Sequence, residues 1–156
     1  MDIRLALLGL VHGALLGIGI LLTVIDVRTH RLPNRIVLPT LALLVVAVSV
    51  DAVITADAAP LGRGLLGSVV LGGFYAVLRM ISHAGMGGGD VKLALVIGLL
   101  LAWHGWGAFL LGASSAFVLG AVFALVLLAA GGVDRRTRIA FGPWMIAGAV
   151  LGVLGG

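Results

Sequence analysis

The sequence predicts an all-α polytopic membrane protein with six transmembrane helices and both termini outside. Three observations carry this reading. Apolar residues make up 62% of the 156 residues and charged residues only 10%, with a mean hydropathy of +1.27. A soluble domain carries about 25% charge and cannot hide this much apolar surface from water. The apolar residues gather into runs, most of them near the ~20 residues a helix needs to cross a bilayer. Those runs are apolar all round, without the period-two alternation of a spanning β-barrel. A soluble enzyme, a nucleic-acid-binding module and a disordered tail are thereby excluded.

The first run covers residues 5–25. It is too long for a signal-peptide core, and Asp26 and Val27 offer no small-residue cleavage site, so it is kept as a span. The second covers residues 36–55, with Asp51 near its far end, and the third residues 61–81, with Arg79 near its end. The fourth begins at Asp90 and fades at Trp103; the fifth runs over 106–131 and the sixth, a short one, over 141–156. Together they leave no room for a soluble domain. The 25 glycines often fall at small-xxx-small spacing, as at Gly112, Ala116 and Gly120. In a bilayer such residues let helices approach closely, and packing is the simplest role for nearly all of them.

Charge sorts the connections. The loop after the first run holds Arg28, Arg31 and Arg35; Arg79 and Lys92 flank the third connection; Arg135, Arg136 and Arg138 follow the fifth run. All eight fall on one side of a six-span zigzag, and only Arg4 and Arg63 fall on the other. That bias puts the three basic connections in the cytosol. There is no cysteine, which excludes disulfides, thiolate catalysis and cysteine-ligated zinc.

Two aspartates stand out at the cytosolic side. Asp90 follows three glycines and opens a helix, where an N-cap role explains it fully. Asp26 closes the first span, where a carboxylate opposes the helix dipole; a solvated partner of Arg28 or Arg31 is its plain explanation. Taken together, the two lie at the same depth if their helices are neighbours. Ionisable groups at the edge of a membrane core are costly and point to function. Two carboxylates in one site share a proton, so that one accepts a proton from water and the other donates to a carbonyl. The dipoles favour the anion at Asp90 and oppose it at Asp26, so Asp90 is expected to start as the base. The glycines 87–89 are expected to bend the chain sharply beside an extended substrate.

These residues also carry a resemblance. Gly87-Gly88-Gly89-Asp90 resembles the Gly-x-Gly-Asp signature of intramembrane aspartyl proteases, and the run on to Val91-Lys92-Leu93 is similar to that of the type IV prepilin peptidase family. Asp26 with Leu32-Pro33-Asn34 resembles that family's first aspartate and its turn. Phe141-Gly142-Pro143 resembles its third signature, with Ala140 where the family usually has Pro. The resemblance covers essentially the whole chain. It implies a single integral-membrane peptidase domain over 1–156, with Asp26 and Asp90 catalytic and no cofactor. Gly87, Gly89, Lys92, Pro33, Asn34, Gly142 and Pro143 would shape the site. Longer members carry a cysteine-rich cytosolic part linked to N-methylation; this chain is similar to the compact, peptidase-only form. Presenilin-like proteases use a Tyr-Asp pair and more spans, which Ile25-Asp26 does not match.

The implied substrates are prepilins or pseudopilins, each with a cytosolic leader followed by an apolar helix. They serve type IV pilus assembly or protein secretion across the plasma membrane. The basic cytosolic face argues against long-range attraction to a basic leader, so recognition is expected from helix packing in the lipid. Lys92 is either a site contact or a snorkelling interfacial lysine. His30 and His83 flank the site, but nothing orients their rings and their spacing is not a ligand motif, so no metal is expected. His12 is expected to hydrogen-bond across helices, His104 to be solvated, and Trp103, Trp106 and Trp144 to anchor at interfaces. A small transporter or a non-catalytic assembly subunit is the alternative. Transporters place charged or broken helices at the midplane of matching halves, and spans one to three do not match spans four to six.

Overall fold

The computed structural model describes residues 3–81, 87–130 and 140–156. His83, the glycine at 85, Met86 and the basic stretch 134–138 fall outside the described residues. Among those described, the chain is all-helical, with six helices. They are α1 (Ile3–Thr29), α2 (Asn34–Thr55), α3 (Ala59–Ile81), α4 (Gly88–His104), α5 (Trp106–Ala129) and α6 (Gly142–Gly155). Each coincides with one apolar run to within a few residues. Four of them, α1, α2, α3 and α5, are long and apolar enough to cross a membrane. At 17 and 14 residues, α4 and α6 rise only about 25 Å and 21 Å.

The shortness of α4 goes with its place. It is the central helix, packed along α3 and also against α2, α5 and α6. Leu93, Ala94, Leu99, Leu101 and Ala102 are all nearly or fully buried, so α4 sees protein on most sides and α1 sees little. In α1 only Gly19, Leu22 and Asp26 are buried, and its Ile3, Leu10 and Ile20 face outward. Outward apolar side chains suit a helix that lies against lipid.

Small residues set the α3–α4 distance. Gly64, Gly67 and Gly72 line the buried face of α3. A Cβ on Gly67 would sit 2.7 Å from the Gly98 carbonyl oxygen, and one on Gly98 would collide with the Gly67 carbonyl. Ser68 Oγ donates to the Leu95 carbonyl at 2.8 Å across the same seam. The α5–α6 seam repeats the device, with Gly112 and Gly148 each against the other's carbonyl. The packing role expected for the glycines therefore holds at these positions. Gly105, between α4 and α5, has φ +144, a conformation that glycine adopts without steric cost.

The bundle end that carries Arg4 and Arg63 is knit by polar contacts. Asp51, 1% exposed, accepts from Arg4 Nε at 2.8 Å and from Trp103 Nε1 at 3.0 Å. Arg63 donates to the carbonyls of Ala102 and Trp103. Trp103 is thus an interior residue and not an interface anchor, because its indole N–H needs a buried acceptor and Asp51 supplies one. His104 is exposed, as expected, and its Nε2 also lies 3.0 Å from His12 Nε2, which gives His12 its cross-helix partner.

Candidate active site

At the opposite end, α1 runs past Asp26 to Thr29. The helix stops because His30 turns left-handed, with φ 51, and its N–H closes on the Asp26 carbonyl at 2.8 Å. Thr29 Oγ1 donates to the Ile25 carbonyl at 2.8 Å. Asp26 therefore sits inside the last turn, 4% exposed, and not in a solvated loop beside the arginines. Leu32-Pro33-Asn34 then reverses the chain. Pro33 caps α2 with extended backbone, and its carbonyl accepts from Ile36 and Val37.

Asp90 is not an N-cap. Gly87 is the cap residue of α4, and Gly88 and Gly89 are already helical. Asp90 is third in the helix, and its Oδ2 reaches back to accept the Gly87 N–H at 2.9 Å. Gly87 has φ −74, so the expected sharp glycine bend is not what that residue supplies. Space is what the glycines supply. A Cβ on Gly89 would lie 2.6 Å from Leu32 Cβ, and one on Gly88 would collide with the Arg79 guanidinium. The glycines let the Leu32-Pro33-Asn34 turn and the end of α3 close down on the start of α4.

Three sequence segments meet here. Gly142 N–H donates to Asp26 Oδ2 at 3.0 Å, which joins the Phe141-Gly142-Pro143 segment to α1. Lys92 Nζ donates to Asn34 Oδ1 at 2.7 Å, which joins α4 to the start of α2. Asp90 and Asp26 lie close enough for their charges to interact, with Arg79 also in range of Asp90. Asp26, Asp90, Gly87, Gly89, Lys92, Pro33, Asn34 and Gly142 thus belong to one cluster. Pro143 stands in the first turn of α6, where a residue without an N–H costs nothing.

The sequence reading missed the aromatic brace beneath this cluster. Tyr75 of α3 is 1% exposed. Its ring lies 5.5 Å from Phe117 and 6.1 Å from Phe141, and Phe117 and Phe141 are 5.5 Å apart. Such a triangle of rings holds Phe141 in place, and with it the next residue's N–H on Asp26. Tyr75 also lies within electrostatic range of Asp90. Tyr75 and Arg79 are four residues apart and share a face of α3, a spacing that could have flagged both. The hydrogen bonding does not separate the two carboxylates as the dipoles do. Each accepts one backbone N–H from a glycine. Both carboxylates are buried, and their charges are within range of each other.

A family model described as the type IV leader peptidase family matches residues 13–130. The chain belongs to the type IV leader peptidase family. It is 33% identical over 139 residues to the prepilin leader peptidase/N-methyltransferase of Bacillus subtilis (strain 168), covering 88% of this chain and 52% of that protein. Against the protein of the same name from Escherichia coli (strain K12) it is 35% identical over 136 residues, 83% of this chain and 56% of that one. Against that of Stutzerimonas stutzeri it is 33% identical over 129 residues, 81% and 43%. The chain spans about half the length of these curated relatives. No solved structure matches it. Membership in this family, together with four helices long and apolar enough to cross a membrane, makes the chain a multi-pass membrane protein of the leader peptidase family. The match ends at residue 130, so Gly142 and its bond to Asp26 lie beyond it.

Proposed function

We propose that the chain is an aspartic endopeptidase that removes the leader from type IV prepilin-like proteins at the cytosolic edge of the plasma membrane. In this reading residues 1–156 act as one peptidase domain with six spans and both termini outside. The substrate is a prepilin or pseudopilin whose cytosolic leader runs into an apolar helix. The observation that supports the reading is that Asp26 and Asp90, buried carboxylates from separate helices, lie within electrostatic range, each held by a glycine N–H.

The chemistry follows from one shared proton. The ionised carboxylate takes a proton from water as the water oxygen bonds to the scissile carbonyl carbon. The protonated partner gives its proton to the carbonyl oxygen, producing a neutral gem-diol. The carboxyl that took the water proton then gives it to the amide nitrogen while the other, now ionised, takes a proton from a gem-diol hydroxyl; the C–N bond breaks, leaving a carboxyl on the leader and an amine on the mature chain. Gly87 and Gly142 fix the carboxylates, while Gly89, Pro33, Asn34, Lys92 and Pro143 hold the turns around them.

The test is co-expression with a tagged prepilin. Asp26→Asn and Asp90→Asn each leave the precursor uncut, and Asp57→Asn, at the far end, processes it as the wild type does. Processing by both of the first two variants overturns the assignment.

A further inference from the structure

His12 and His104 present a hydrogen-bonding count that does not close with neutral rings. His12 Nδ1 lies 2.7 Å from the Leu8 carbonyl oxygen, and His104 Nδ1 lies 2.9 Å from the Leu100 carbonyl oxygen. A carbonyl only accepts, so each Nδ1 carries a hydrogen. The two Nε2 atoms face each other at 3.0 Å. Three contacts need three hydrogens, and two neutral imidazoles carry two. With both Nδ1 atoms committed, two bare lone pairs point at each other.

We propose that His12 and His104 form a cation clasp, in which one proton or one divalent transition ion sits between the two Nε2 atoms and ties α1 to α4. Both sources share the chemistry of an electrophile accepting nitrogen lone pairs. A hydrogen bond fits the 3.0 Å separation directly. A metal at about 2.1 Å from each nitrogen would subtend about 90°, the angle of adjacent octahedral positions, and imidazole suits zinc, nickel and copper. The outer contacts are those that metal-binding histidines make, each ring donating its other N–H to a backbone carbonyl. The Trp103 ring stacks on His12 at 5.8 Å, with 24° between planes, and limits its rotation.

The charges around the clasp come from three helices. Asp51 of α2 lies within electrostatic range of His104 and favours a cation; Arg63 of α3 is also in range and opposes one. Arg4 of α1 is paired with Asp51, which reduces the help that Asp51 gives. Neither α5 nor α6 carries a titratable side chain. The clasp lies 14 residues from Asp26 along α1, about 21 Å. It grips the helix that the rest of the bundle holds least.

The test uses the full chain in lipid nanodiscs, with nitrogen-15-labelled histidine. Both Nδ1 atoms are expected to be protonated at every pH from 5 to 8. In chelator, lowering the pH through this range should bring up one N–H shared by the Nε2 atoms, which identifies the proton. At pH 7.5, one equivalent of Zn²⁺ should shift both Nε2 signals together, which identifies the metal. Either response supports the clasp. An unprotonated Nδ1, or Nε2 signals indifferent to both pH and Zn²⁺, overturns it. A melting series is the second readout. One bound cation should raise the wild-type Tm by about 2–4 °C. His104→Gln supplies an amide N–H to His12 without a cation, so it should melt near the occupied wild type and lose the dependence on pH and Zn²⁺. A His104→Gln protein that keeps that dependence also overturns the proposal.

Discussion

Gly142→Ala is the sharpest probe of the site, because it adds one methyl group and no charge. The new Cβ would lie 2.6 Å from Asp26 Oδ2 and 3.2 Å from its Cγ. Ordinary contact begins near 3.4 Å, so carboxylate and helix start must separate by about 0.8 Å. The Gly142 N–H bond to Asp26, 3.0 Å long, is then stretched or lost. A hydrogen bond to a charged group contributes about 1.5–3 kcal/mol, and 1.36 kcal/mol is about tenfold in rate. Misplacing a reacting group by about 1 Å is worth up to about a hundredfold. The two routes agree on a fall of roughly ten- to a hundredfold in turnover of a prepilin in a purified cleavage assay, with KM little changed. Gly73→Ala is the matched control, since a Cβ there meets nothing within 4 Å. Wild-type turnover by Gly142→Ala, with the protein folded, refutes the claim that this N–H fixes Asp26.

Other substitutions separate support of the site from support of the fold. Lys92→Met removes the 2.7 Å bond to Asn34; the contact is exposed, so turnover should fall only severalfold, by about 0.5–1.5 kcal/mol. Asn34→Ala should match it, and the double variant should be no worse than either single one in a double-mutant cycle. Asp51→Asn weakens the bonds to Arg4 and Trp103 far from the cluster. It should cost about 1–3 kcal/mol of stability in a detergent melt and leave the turnover of the remaining folded protein unchanged. Gly98→Ala forces α4 away from the Gly67 carbonyl; overpacking of about 1–3 kcal/mol should show as reduced yield before any change in rate.

The helices were legible in the sequence because apolar run length is a one-dimensional property. Residues 36–55 and 61–81 could be read as spans with no knowledge of neighbours, and α2 and α3 fall on them. The aspartates could be singled out for the same reason: a charge at the edge of an apolar run is visible locally. What stayed hidden depends on three-dimensional contact. Asp51 read only as a charge near the end of the second run, and its burial under Arg4 and Trp103 depends on how α1, α2 and α4 pack. Glycines 87–89 read as a bend, whereas Gly88 and Gly89 matter for the room they leave to Arg79 and Leu32. The Tyr75, Phe117 and Phe141 triangle draws on three segments, none of which is distinctive alone.

The two aspartates are held very differently, and this shapes how the site should respond to change. Asp90 stands on α4, the helix enclosed by four others, and its carboxylate is tied back to its own helix cap through Gly87. Its position is set by the bundle core. Asp26 stands on α1, where only Gly19 and Leu22 are buried with it, and its carboxylate is tied to α6 through Gly142. Lipid supplies no hydrophobic force to press α1 onto the bundle, so a few specific bonds must locate it. Damage to α4 should therefore appear as lost protein. Damage to the contacts of α1 should appear as folded protein with Asp26 displaced, a loss in turnover without a loss in yield. Random substitution scored for both yield and cleavage would sort the two helices in that way. Equal yield losses along α1 and α4 would mean that α1 is as much a part of the folding core as α4.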